Sequence, residues 1–379
     1  PAPTTTPVPR PDLRHMEEKL YMLELINGER VDAGLSPVIL GDNIAAQLHA
    51  EASLKGCFSS HWGMDGLKPY MRYTLAGGYQ PNAENGAGLD YCIQWYENYE
   101  PLSGIEAEVR EAMEGWMSSP GHRDNILRPG HRKVNIGLAW DRYNFASVQH
   151  FEGGYVEYQQ LPALEGGFLT LSGNVVDGAT FRNDRDLGVQ IYFDPPPHEL
   201  TRGQLSRTYC SGPGTPVASL RPPLTGNMYY LEDQFTKTYE LCPDPYDVSP
   251  DAPPPGSADE AIEFWRRAYN ASLSAPEESI TVPWVTALDW VAAGDRFSLS
   301  ADIGDILKTH GPGVYTVAVW GHLDGESAMV SEYSIFHDVV PPDTYAPGRY
   351  ERGGKHSGTP GLGVVVEQGT ASTLLSCIC

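Results

Sequence analysis

At 379 residues and 41.5 kDa the chain is too long for one ordinary domain and has room for two or three. It carries 26 Lys and Arg against 49 Asp and Glu, a formal charge of −23, which excludes a non-specific nucleic-acid binder because that task needs a basic face. Gly (40) and Pro (32) together favour turn-rich β structure over a helical bundle, and a charged fraction of only 20% excludes a wholly disordered acidic chain.

Residues 1–12 form a Pro/Thr-rich arm, extended because each proline fixes φ and restricts its predecessor. Such an arm orders only against its own body or a neighbouring copy, since ordering costs about 1–2 kcal/mol per residue. The chain opens on Pro1 with no basic–apolar–small leader, as expected of a protein whose leader has been removed. No run of about 18 apolar residues predicts a membrane span.

From Leu13 the pattern turns helical. Met16, Leu20, Leu23 and Ile26 recur at three- and four-residue spacing and Gly34 supplies the stop. A second helix is expected from Asp42 as N-cap to Gly56, with Ile44, Ala45, Leu48 and Ala52 on one face. A third runs from Ile105 to Met117, ended by Ser118-Ser119-Pro120-Gly121. Strand-like runs follow at Val134–Trp140, Phe145–Phe151 and Gly154–Gln159, which makes 13–160 an α+β domain.

Beyond Leu161 the texture becomes that of a β-sandwich. Phe168–Leu171, Val189–Phe193, Phe297–Ala301, Val314–Trp320 and Val330–Phe336 are short β-type runs separated by Gly, Pro and Asp. Within this 161–340 domain lies the Pro-rich stretch Cys242–Gly256, then one helix over 258–273. Ser257 and Glu260 form its capping box. Residues 341–379 read as a linker and a β-prone tail that either completes its own sheet or adds to another copy's.

Six cysteines show no C-x-x-C pair. Cys57 with Cys92, and Cys210 with Cys242, read as disulfides closing medium loops, each worth about 3 kcal/mol, in an extracellular protein. Buried free thiols in a cytosolic protein remain the alternative, and the partners of Cys377 and Cys379 stay open.

Chemistry concentrates at three places: His61 after the second helix, Glu84 in a Gly-rich stretch, and His122 after the third helix. Two imidazoles and a carboxylate suit a divalent metal such as zinc, with Glu84 as third ligand or general base. Spacing alone also allows each histidine simply to bond a nearby backbone group.

The segments Leu25-Ile26-Asn27 with Arg30, Phe58-Ser59-Ser60-His61, Glu84-Asn85, Trp116 through Leu127 and Ile136-Gly137-Leu138-Ala139 resemble the bacterial branch of the CAP superfamily, the SCP-like extracellular domains. The resemblance covers about residues 14–160, and its most specific stretch runs Trp116-Met117-Ser118-Ser119-Pro120-Gly121-His122-Arg123-Asp124-Asn125-Ile126-Leu127. It implies an α-β-α sandwich whose cavity holds two histidines, His61 and His122, and a first acid, Glu84, with zinc in some members. The family's second acid falls at Ser119, which removes one carboxylate. Asn85 is expected to pin the Glu84 segment, and Arg123 to pair with Glu108, Glu111 or Glu114. The cluster Tyr91, Trp95, Tyr96 and Tyr99 packs on the third helix or rims a groove for lipid or glycan. The β region resembles C-terminal extensions carried by some CAP proteins of environmental bacteria.

The expected fold is therefore α+β: a CAP-like α-β-α sandwich followed by an immunoglobulin-like β-sandwich with one inserted helix. The expected function is a secreted, non-catalytic binding or structural protein that meets other copies of itself through the N-terminal arm and C-terminal strand. A metal-dependent hydrolase using Glu84, or a lipid-binding CAP protein, is the alternative.

Overall fold

The computed structural model describes residues 14–88, 100–181, 187–208, 211–240, 243–345 and 376–378. The Pro/Thr arm, Cys92, Cys210, Cys242, Cys379 and the aromatic cluster at 91–99 lie outside the described residues. No helix among the described residues is long and apolar enough to cross a membrane.

The first half runs α1 (Met16–Asp32), β1 (Ile39–Leu40), α2 (Ala45–Gly56), α3 (Pro69–Leu75), β2 (Asn82–Gly88), α4 (Ile105–Ser118), α5 (Pro120–Ile126), β3 (Lys133–Trp140) and β4 (Phe145–Glu152). The second half runs β5 (Val156–Glu165), β6 (Phe168–Val175), β7 (Gly188–Asp194), α6 (Arg202–Leu205), β8 (Thr215–Arg221), β9 (Gln234–Glu240), α7 (Ala258–Leu273), β10 (Glu277–Thr286), β11 (Asp289–Ala293), β12 (Arg296–Asp302), α8 (Gly304–His310), β13 (Gly313–Leu323) and β14 (Glu326–His337). A last short strand, β15 (Ser376–Ile378), closes the order.

In the first half a sheet ordered β1-β3-β4-β2-β15 lies between helices. On one side α1 and α4 bury Met22, Ile26, Val109, Met113 and Trp116 against Val134, Ile136, Leu138 and Phe151. On the other, α2 presents Ala46 and Ala50 to Ala139 and Val148. Small residues bring that helix close: a Cβ on Gly137 of β3 would stand 2.1 Å from the Ala46 carbonyl oxygen.

The face of α1 differs from the expected one. Leu20 is half exposed, whereas Lys19, Met22, Ile26 and Arg30 are buried. Arg30 explains the rotation, because its guanidinium donates to the carbonyls of Ser36, Ile126, Arg128 and His131 and ties α1 to the loop after α5. The N-cap of α2 is Ile44 rather than Asp42, with Asn43 Oδ1 accepting from the Ala45 amide. The third helix ends at Ser118 as expected, and Pro120 then begins the short helix α5 at its first turn, where a missing N–H costs nothing. The run expected as a strand at Gly154–Gln159 is the start of β5, which pairs with β6 and so belongs to the second half.

Two sheets, β14-β13-β7-β8-β10-β9 and β11-β12-β6-β5, pack face to face in the second half. Leu169, Leu171, Phe297 and Leu299 from one meet Val189, Ile191, Val217, Tyr315, Val317 and Val319 from the other. The larger sheet is mixed, since β8 and β10 run parallel. The expected helix at 258–273 forms as α7, capped by Ser257 Oγ accepting from the Glu260 amide.

The halves meet along a broad seam. Leu48, Leu67, Tyr70 and Met71 pack against Val314 and Tyr345, and Phe58 and Trp62 against Leu200 and Leu205. Asp194 of β7 accepts from Lys68 Nζ and Tyr70 Oη, each at 2.7 Å. The C-terminal strand, expected either to complete its own sheet or to add to another copy's, pairs antiparallel with β2 of its own chain: Ser376 faces Gly88 and Ile378 faces Gly86. An edge strand with unpaired amides takes whatever partner is tethered nearest, and here that is its own tail.

Candidate functional site

Glu84 lies on β2, not in a loop, and its register decides its neighbours. It stands directly opposite His150 of β4, so the two side chains project together from the same face. His150 Nε2 donates to Glu84 Oε2 in a very short contact. Arg72 reaches the same oxygen from α3 at 2.7 Å, and its other amino group donates to the carbonyls of His61 and Leu67, both at 2.8 Å. His61 completes the cluster: its Nδ1 lies 2.7 Å from Glu84 Oε1. A carboxylate only accepts, so Nδ1 carries the proton and the lone pair of a neutral ring lies on Nε2.

The whole group is buried, with Arg72, His122 and His150 at 0%, His61 at 6% and Glu84 at 7% exposure. Burial alone would raise the Glu84 carboxyl, but the Arg72 charge and the bonds from His150 and His61 prevail and hold it well below the usual range. A buried carboxylate beside a guanidinium and two donors is a satisfied ion, not an idle base.

His122 enters from the first turn of α5 and lies beside Trp116, ring centroids 6.5 Å apart. Burial, with a smaller contribution from the His61 charge, lowers it to about 3, so it is a neutral imidazole at any physiological pH. Asn85 acts as a pin, and through side chains: its Nδ2 donates to the His122 carbonyl and to Gln149 Oε1, while its Oδ1 accepts from Asn125 Nδ2 at 2.9 Å. Arg123 is exposed, and among the described residues it forms no ion pair with Glu108, Glu111 or Glu114.

The structure thus brings His61 and Glu84 into contact and sets His122 close by, but not as three ligands of one ion. Both Glu84 oxygens are taken, and the Arg72 guanidinium beside them opposes a second cation. Among the described residues no three His, Cys, Asp or Glu side chains are arranged to hold a metal. Glu84 is thus engaged by Arg72, His61 and His150 together, in the geometry of a buried ion pair.

Arg72, His150 and His49 are the residues that sequence reasoning missed. His49 donates from Nε2 to the Ser60 carbonyl at 2.8 Å and fixes the turn that carries His61. Arg72 hides in a seven-residue helix buried on every side, which leaves no amphipathic period. His150 sits in a strand buried at all eight positions, and only its pairing with Glu84 marks it. Cys57 closes α2 in a left-handed conformation and is disulfide-bonded.

No curated protein matches the chain. Residues 23–151 match the family model described as the cysteine-rich secretory protein (CAP) family. That span holds α2 to α5, the sheet on which Glu84 and His150 face each other, and both His61 and His122, so this part of the chain is a CAP domain.

Proposed function

We propose that the protein is an extracellular binding protein whose CAP domain captures a ligand without turning it over. The observation that carries this reading is the closure of Glu84 by Arg72, His61 and His150. General-base catalysis needs a carboxylate with a pKa near the working pH and an open oxygen aimed at water, and Glu84 has neither. The cluster is instead a rigid wall that sets the two imidazoles of His61 and His122. Secretion is supported by the family to which residues 23–151 belong and by the disulfide-bonded Cys57, for which Cys92 is the partner we assign.

The test is turnover of peptide and ester substrates by the full chain with and without added zinc, beside Glu84→Gln. Binding without turnover, with wild type and variant indistinguishable, is the expected result. Zinc-dependent hydrolysis that vanishes in Glu84→Gln would refute it.

A further inference from the structure

Two depressions on the molecule run into one another, and neither belongs to the CAP cluster. The first, about 690 Å³, lies in the seam, with Asn82, His131 and Tyr155 on one side and Trp320 and Glu332 on the other. The second, about 1080 Å³, lies on the outer face of the six-stranded sheet and is walled by Trp284, Tyr229 and Tyr230 over a floor of Gln190 and Ser219. Trp320 and Ser327 line both, so the two adjoin at these residues as a first and a second lobe.

The first lobe holds unanswered polar atoms. Asn82 Nδ2, His131 Nε2 and Trp320 Nε1 are buried and have no partner among the described residues. His131 is only 7% exposed and is held neutral by burial, with its other face stacked on Phe151. Native proteins leave few such groups, and a cluster of them in one cavity is a place where ordered water or a ligand's hydroxyls can complete the bonding. In the second lobe Gly188 makes room for the Trp320 side chain, since a Cβ there would stand 3.1 Å from that residue's Cβ. Trp320 and Trp284 lie three strands apart in the order β13-β7-β8-β10, about 14 Å at the usual spacing.

We propose that the trough these lobes form binds an extended glycan, with pyranose rings stacked on Trp320 and Trp284 and hydroxyls satisfying Asn82, His131 and the Trp320 indole. Aromatic faces interleaved with neutral donors suit a ring that has an apolar face and a polar rim. A polyanion is disfavoured by Asp177, Asp324 and Glu326 on the rim and by the net charge of −23. The lining reaches across the six-stranded sheet from Ser327 of β14 to Lys237 of β9, and its aromatic groups stand on the broad face of the sheet rather than along an edge, which suits a ring stacked flat better than an added peptide strand. The inference stands apart from the CAP cleft and survives if that reading fails.

The experiment uses the full chain. Retention on insoluble peptidoglycan, chitin and cellulose, together with a glycan array, identifies the glycan, and calorimetry with its oligomers of increasing length measures affinity. Trp320→Ala should weaken binding at least tenfold, and Trp284→Ala should abolish the gain in affinity with oligomer length while leaving short oligomers bound. Should either indole prove necessary for folding, Ser327→Trp, an exposed position at the junction of the lobes, blocks the trough without touching the core. Bound glycan should also shield tryptophan fluorescence of the wild type from acrylamide. The proposal is overturned if no glycan in the panel binds, if binding is unchanged in folded Trp320→Ala and Ser327→Trp, or if the trough retains only peptides or phospholipid vesicles.

Discussion

At the scale of single residues, the Arg72–Glu84 pair dominates the first half. Two opposite charges removed from water depend on each other, and removing one strands the other. Arg72→Met should therefore destabilise the protein by about 3–5 kcal/mol, and adding Glu84→Gln should recover part of that loss, both read from urea unfolding. Because the folded carboxyl is held low, its stabilisation is complete above the unfolded value of about 4.3 and is lost as pH falls below it. The wild type should lose more stability between pH 5 and pH 3 than Arg72→Met does; equal losses would refute the pairing. His61, Glu84 and His122 were legible in the sequence because each sits in a motif. Arg72 and His150 were not, because a short fully buried helix and a two-sided buried strand erase the periodicities that sequence reading depends on.

Among elements, the contact of α2 with β3 is an exacting one. Gly137 lets the Ala46 carbonyl approach to a distance that no side chain permits. Gly137→Ala should cost more than about 2 kcal/mol by overpacking, measured as a shift in the unfolding midpoint. Gly86→Ala, on β2 of the same sheet with open space at its Cβ, should cost much less. If the two variants unfold alike, close approach is not what that glycine serves. The helices α1, α2, α4 and α7 and most strands of the sandwich were readable because they alternate or repeat over many residues. The face of α1 was misread because Lys19 and Arg30, the residues it buries, carry polar heads that no apolar pattern reveals.

Over the whole molecule, the two halves share their ionisable groups. Glu332 of β14 lines the seam, and burial, aided by the Asp194 charge, pushes it up to about 8 against the bond it accepts from the Asn82 backbone. A carboxyl raised in this way leaves its contribution intact below about pH 4.3 and erodes stability as pH climbs from there towards 8. Glu332→Gln should therefore match the wild type at pH 4 and exceed it at pH 8.5, by no more than about 5 kcal/mol. A difference that does not grow with pH would show that Glu332 is already ionised at neutrality.

The short helix α3 has one further consequence. Its Arg72 serves the Glu84 cluster, while Tyr70 and, from the residue before it, Lys68 grip Asp194, and Thr74 accepts from the Ser334 amide. Seven residues thus belong to both modules at once. A chimaera joining this N-terminal portion to a foreign C-terminal partner would leave Leu67, Tyr70 and Met71 uncovered and Lys68 without its counter-ion. Recombination at this boundary would succeed only where the incoming partner brought an equivalent aspartate and an apolar cover for these side chains.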